Sequence, residues 1–215
     1  MPTTPEPPGA QAIASCPSGA ISSQGVDQGR CIRCARCLPE GFAFRGPVES
    51  STGSRSELAV GPPSATAGGV LDASPPLDGF ARSLHVFLVD AGSCNSCNLE
   101  VLALSNPLYD SQRLGIFFTN SPRHADALVV VGVPTEEMVP SLQRAYEALP
   151  EPKLVVAVGA CPISGGAFAG TPGLAASLDD VLPVDVYVPG CPPTPVQVLD
   201  GLLRAVGRAR PREVA

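Results

Sequence analysis

The chain has 215 residues, a formal charge of −6 and a pI near 4.9, and Lys153 is its only lysine. Proteins that track phosphates need clustered Lys and Arg, so this balance argues against nucleic acid as a partner. No apolar run reaches the roughly 18 residues of a membrane-spanning helix, which leaves membrane contact to partner subunits. The opening MPTTPEPPGA has neither a basic region nor an apolar core, so a secretory signal is not expected and the location reads as cytoplasmic. Mean hydropathy is nonetheless +0.19. Apolar surface buried against partner subunits, or a valine-rich parallel sheet, would account for it. Eight cysteines in a chain with no sign of export point to metal rather than disulfides.

Residues 1–45 hold Cys16, Cys31, Cys34 and Cys37. From Gly46 to Asp78 the text is rich in Gly, Pro, Ser and Ala without an apolar period, so residues 46–80 read as a flexible linker. From about residue 81 to 210 short apolar runs alternate with amphipathic segments. The runs are LHVFLVD (84–90), GIFFT (115–119), ALVVVG (127–132), KLVVAVG (153–159) and PVDVYV (183–188). Their β-branched, nearly continuous apolar character predicts strands buried on both faces. Helices are predicted over Asn98–Leu104, Thr135–Leu149 and Pro195 to about Arg208, the last with Thr194 as N-cap and Pro195 at the first position. The rhythm indicates an α/β fold with an open, mostly parallel sheet.

Cys94 and Cys97 follow the first run in DAGSCNSCNLE, Cys161 follows the fourth in VGACPISGG, and Cys191 follows the fifth in VPGCPPTP. All four stand just past the carboxyl ends of predicted parallel strands, the edge where such sheets place ligands. Four thiolates there match the ligand set of a four-iron cluster, although Cys₄ also suits a structural zinc. Neighbouring glycines, among them Gly159 and Gly166, let backbone approach a bulky inorganic core, and Pro192 restricts Cys191 to an extended conformation.

GSCNSCNLE, SPRHADALVVVG, PKLVVAVGACPISGG and PGCPPTP, in that order, resemble the small subunit of membrane-bound, energy-converting nickel–iron hydrogenases. The related 20 kDa cluster subunit of respiratory complex I is similar as well. The resemblance spans about residues 83–208. It implies a flavodoxin-like sheet with helices on both faces, a [4Fe–4S] cluster on Cys94, Cys97, Cys161 and Cys191, and a large subunit carrying the active site. The complex I subunit typically has adjacent cysteines at the first position, and the C-x-x-C spacing here favours the hydrogenase branch. Two departures concern the large-subunit contact: Thr194 where the family commonly has Arg, and GVPTEEM in place of a glycine-proline turn.

Near the N-terminus, Cys31, Cys34 and Cys37 form C-x-x-C-x-x-C, and the position four beyond Cys37 is Gly41 rather than a cysteine. SCPSGAI followed by QGVDQGRCIRCARC resembles the second part of a two-cluster ferredoxin. That resemblance implies that Cys16 joins the triplet around a second [4Fe–4S] cluster. A segment this short depends on its metal for folding, and zinc is the alternative occupant.

Glu100, three residues after Cys97, is placed on the first helical turn, where it favours the positive helix end. By the resemblance it is instead an interface or proton-handling residue. His124 and Asp126 read as turn residues, and His85 lies inside a strand. No nucleophile–base set and no phosphate-binding glycine fingerprint is present, so no bond chemistry is expected of the chain alone. The leading expectation is an electron-relay subunit of a nickel–iron hydrogenase-like complex, attached to the membrane through other iron–sulfur and membrane subunits. The alternatives are a complex I-like quinone oxidoreductase without nickel and a zinc-stabilised assembly protein without redox activity.

Overall fold

The computed structural model describes residues 2–3, 8–44, 51–60, 80 and 82–208. The N-terminal part consists of β1 (Pro2–Thr3), α1 (Ala10–Ser15), β2 (Ile21–Ser22), β3 (Gly25–Asp27), β4 (Ala43–Phe44) and β5 (Ala59–Val60). β1 pairs with β4, and β2, β3 and β5 form a small antiparallel sheet. Its own core is Ala12, Ile21, Val26, Cys37 and Phe42 with Cys16 packed against them. A core this small does little against chain entropy by itself.

The larger part contains β6 (Leu84–Asp90), α2 (Ser96–Leu102), β7 (Ile116–Phe118), β8 (Ala127–Val131), α3 (Val139–Ala148), β9 (Leu154–Val158), α4 (Ala160–Ser164), β10 (Val186–Val188) and α5 (Pro195–Ala205). The five strands pair in parallel in the order β10-β9-β8-β6-β7. Counted from β6 this is 2-1-3-4-5, the flavodoxin-like order, as expected. Every residue of β8, β9 and β10 is buried. Side chains alternate between two cores. Val129, Val131, Val156 and Val158 face Val101 of α2 and Val198 and Leu202 of α5. Leu128, Val130, Val155 and Ala157 face Leu142 of α3 and Ile163 of α4. Each such valine, leucine or isoleucine contributes about 1.5–3 kcal/mol on burial, which is why the valine runs become central strands.

Helix bounds differ from expectation for local reasons. α2 starts at Ser96, two residues early, and continues as a 3-10 turn over Ala103–Ser105. α3 starts only at Val139, with Pro140 in its first turn, while Thr135 forms an isolated bridge with Leu174. α5 has the expected start: Thr194 Oγ1 accepts from Gln197 N–H, and the Gln197 side chain accepts from Thr194 N–H in a capping box. It ends at Ala205, short of Arg208.

Residues 51–60 correct the linker reading. Thr52 bridges Tyr187 of β10 through two backbone hydrogen bonds of 2.9 and 2.8 Å. Ser51 Oγ donates to Asp200 (2.6 Å) and accepts from Arg204 Nε (3.1 Å). The Arg55 guanidinium grips both carboxylate oxygens of Asp27 at 3.0 and 2.8 Å. Leu58, 1 % exposed, lies in the second core beside Ile163. The segment thus joins the small sheet through β5 and the large one through Thr52. Single long-range contacts hold it, and these leave no periodic signal. The rest of the linker stretch, 46–50 and 61–79, lies outside the described residues.

Leu58→Ala is expected to destabilise the folded chain by about 2–5 kcal/mol, as for other buried leucines. Leu108→Ala, at an 81 % exposed position, is expected to change stability by no more than about 0.5 kcal/mol. Urea unfolding of the two variants under reducing conditions checks the contrast, and equal midpoints would mean that residues 51–60 do not pack.

Candidate metal centres

Three strand ends deliver four cysteines to the carboxyl edge of the large sheet. Cys94 lies in the loop after β6, Cys97 on the first turn of α2, Cys161 at the start of α4 after β9, and Cys191 just past β10. Cys97 and Cys161 are buried, Cys191 is half-buried and Cys94 is exposed. Burial pushes the Cys97 thiol up to about 12, reinforced by the neighbouring Cys161, Cys191 and Cys94. Cys161 is pushed up to about 11 by burial and by Cys191 and Cys94. Cys191 rises through burial and Cys94, against the opposing charge of Arg33. Cys94 goes the other way, because hydrogen bonding with the Ser96 side chain and backbone favours its thiolate. All four thus lie at the carboxyl edge of the sheet, at the ends of the three strands that carry them.

Glycine makes this possible at two points. A Cβ on Gly159 (φ 99°) would stand 2.7 Å from Cys97 Sγ, and one on Gly166 (φ 54°) would stand 3.1 Å from Cys161 Sγ. Backbone can pass so close to sulfur only where no side chain intervenes.

The Cys94 loop is built on Asp90, a residue the sequence reading passed over. One Asp90 oxygen accepts from Gly92 N–H (3.0 Å) and Ser93 N–H (2.7 Å), and the other from Ser93 Oγ (2.7 Å) and Asn98 Nδ2 (2.5 Å). Burial raises this carboxyl, but the bonds from Ser93, Gly92 and Asn98 outweigh it and hold the group below its ordinary range. The available signal was an aspartate at a strand end with Gly and Ser two and three residues on, the pattern of an Asx turn. GVPTEEM supports the same loop from β8: Val133 N–H donates to Gly92 O and Thr135 N–H to Ala91 O, both at 3.2 Å.

Glu100 is half-buried and sits in the second turn of α2, not the first, because the helix begins at Ser96. It therefore does not cap the helix, and its charge adds to the pressure on Cys97. Asp126 has the structural role expected, accepting from His85 N–H at 2.7 Å, while the His85 ring stacks on Phe117 at 5.5 Å. His124 closes a 3-10 turn before β8.

The N-terminal quartet surrounds a second space. Cys16, Cys31, Cys34 and Cys37 line one cavity of about 320 Å³, including its open mouth, together with Ile21, Val26 and Ile32. Arg33 and Ala35 adopt left-handed φ values of 53° and 63° between the cysteines. Two such non-glycine residues in one loop cost about 1–3 kcal/mol each and mark an over-determined site. Burial raises Cys31, with a contribution from Cys16, and raises Cys37 along with Cys31, Cys34 and Cys16. Cys16 accepts a hydrogen bond from Ala20 N–H at 3.3 Å. Burial pushes its thiol up, but bonds from Ser18, Ala20 and Ile21 outweigh this and lower it. Both donor sets are all-thiol, which suits iron–sulfur clusters and zinc alike. Among the described residues no group of three or more Cys, His, Asp or Glu closes on the position of a single metal ion.

Residues 94–205 match the protein family described as "NADH ubiquinone oxidoreductase, 20 Kd subunit". The chain belongs to this family. The match includes every cysteine of the sheet edge and none of the N-terminal quartet. Members of the 20 kDa subunit family are parts of oxidoreductase complexes and carry a four-iron cluster. The chain is 46 % identical over 127 residues to the probable membrane-bound hydrogenase subunit mbhJ of Pyrococcus furiosus, covering 59 % of this chain and 76 % of that one. It is 47 % identical over 108 residues to an NADH-quinone oxidoreductase subunit of Citrifermentans bemidjiense, covering 50 % and 63 %. Among solved structures, a chain of an archaeal membrane-bound sulfane sulfur reductase aligns with TM-score 0.51 at 34 % identity, over 61 % of this chain and 75 % of that one.

Gly159→Ala is expected to displace Cys97, 2.7 Å from the added Cβ, and so lower the metal content of the chain relative to wild type. Metal and sulfide analysis of the purified variant beside the wild-type chain checks this, and equal contents would mean that Cys97 does not hold metal.

Proposed function

We propose that this chain relays electrons through two [4Fe–4S] clusters to or from the active-site large subunit of a membrane-associated nickel–iron hydrogenase-like complex. The observation that carries this reading is the gathering of Cys94, Cys97, Cys161 and Cys191 at one sheet edge, inside the region shared with the 20 kDa subunit family. Cys16, Cys31, Cys34 and Cys37 would hold the second cluster, supported by their common cavity. Each cluster, when bound, supplies a one-electron carrier. The chain's own work is to hold the thiols, exclude water from Cys97 and Cys161, and aim backbone N–H groups at sulfur.

The similar proteins are named for hydrogenase, quinone oxidoreductase and sulfane sulfur reductase complexes, so the terminal reaction belongs to the partners and the relay is the common part. The C-x-x-C spacing of Cys94 and Cys97, with the extent of likeness to the hydrogenase relative, favours hydrogenase. Likeness to the NADH-quinone oxidoreductase relative supports a quinone-linked complex as the second reading. Among the described residues no helix is long and apolar enough to cross a membrane, which is consistent with attachment through partners.

Purification of the complex without oxygen, followed by iron, sulfide, nickel and zinc analysis, tests the proposal. Iron and sulfide for both clusters together with nickel would support hydrogenase, and the same without nickel the quinone-linked reading. Zinc in place of iron would refute the relay. Within the isolated chain, Cys16→Ala and Cys97→Ala are each expected to halve the iron.

The large subunit would dock over α2. Leu99 and Leu102 are 60 % and 58 % exposed and flank Glu100 within the turn that follows Cys97. Apolar side chains so placed beside a buried cofactor site suit a permanent subunit contact, and Glu100 would be enclosed by it. Leu99→Glu with Leu102→Glu is expected to abolish co-purification of the large subunit and leave the chain's own iron unchanged.

A further inference from the structure

The two quartets meet at Arg33. This residue lies between Cys31 and Cys34 in the N-terminal loop, and its guanidinium reaches across to the loop that carries Cys191. Nη2 donates to Gln197 Oε1 at 3.0 Å, while Nη1 and Nη2 make longer contacts with the carbonyls of Pro192 (3.4 Å) and Pro189 (3.5 Å). Pro192 is the residue next to Cys191. Gln197 is 2 % exposed and also accepts from Thr194 N–H, so the acceptor is rigidly set in the capping box of α5. The loops are further locked by Ser164 Oγ of α4 donating to Gly29 O at 2.8 Å. Gly29 is closely packed, and a Cβ there would lie 2.7 Å from an Ile163 methyl and 2.9 Å from a Leu58 methyl, so these side chains would have to shift. An arginine keeps its charge at all accessible pH values, and its fixed fork suits several acceptors at once.

We propose that Arg33 is a positioning and potential-setting residue for both sites: it pins the N-terminal cluster loop against the Cys191 loop, making the two sites direct electron-transfer neighbours, and its cation favours the reduced, more negative state of each. This rests on the reading that both quartets hold four-iron clusters. Electron exchange between the sites moves one electron and neither makes nor breaks a bond. A permanent, half-buried cation next to Cys34 and touching the residue after Cys191 lies against both cysteine loops. The span between the sites is then that of one arginine side chain rather than that of a free linker.

The test uses the full chain loaded with iron and sulfide without oxygen, its potentials followed by EPR during reductive titration. Arg33→Gln is expected to make reduction of both sites about tenfold less favourable, a fall of about 59 mV in each one-electron couple. It is also expected to narrow the magnetic broadening seen when both sites are reduced together, because the loops separate. Arg33→Lys restores the charge but not the fork, so it should recover the potentials and not the broadening. Gln197→Met removes the main acceptor from outside the N-terminal loop and should reduce the broadening with that site's iron intact. This variant decides the matter should Arg33→Gln lose iron. Unchanged broadening in Gln197→Met, or a potential shift confined to the N-terminal site in Arg33→Gln, would overturn the proposal. Wild-type chain without iron for two clusters would instead defeat the reading on which it rests.

Discussion

The desolvation of thiols at one edge of the sheet is the constraint around which the larger domain is arranged. Cys97 and Cys161 are buried beside Cys191 and Cys94, and each thiolate makes ionisation of the others less favourable. Such a group does not assemble by attraction. It is held together by something stiffer, and a metal centre, when bound, would displace the protons of the buried thiols and compensate the thiolate charge so formed. The stiff element is the sheet. β8, β9 and β10 are buried on both faces, so their ends cannot shift without opening one core or the other. The glycines at 159 and 166 then let the chain turn immediately against sulfur, where longer loops would add slack.

The N-terminal quartet solves the same problem differently. Three of its cysteines are local in sequence, in a loop with two strained left-handed residues over a core of five buried side chains. Little here is stiff by itself. What stiffness exists is borrowed. Asp27 is clamped by Arg55, Leu58 is sunk into the second core of the larger domain, and Thr52 is laddered to β10. Residues 51–60 therefore act as a strap across both parts. The N-terminal segment is docked, not tethered.

How much of this was legible in the sequence follows from the range of each interaction. The five strands were, because valine runs bounded by glycine can be satisfied only by a doubly covered sheet. The sheet-edge cysteines were, because strand ends in such sheets converge. Thr194 and Pro195 announced the start of α5 through local chemistry alone. Residues 51–60 were not, since a polar, glycine- and serine-rich composition is the same whether or not one leucine finds a pocket. Glu100 was placed a turn too early because the Asp90–Ser93–Asn98 network draws the helix start back to Ser96. Arg33 could not be read at all: its acceptors lie more than 150 residues away, and nothing in C-I-R-C marks the first arginine as different from the second.

The two strategies are complementary in a way that bears on assembly. The edge cysteines are placed by the larger domain's own cores, whereas the N-terminal cysteines also rely on contacts with that domain. Arg33 draws its acceptors from the Cys191 loop and the start of α5, so the position of the N-terminal loop depends on that part of the larger domain. Order in the first site is thus a condition for order in the second.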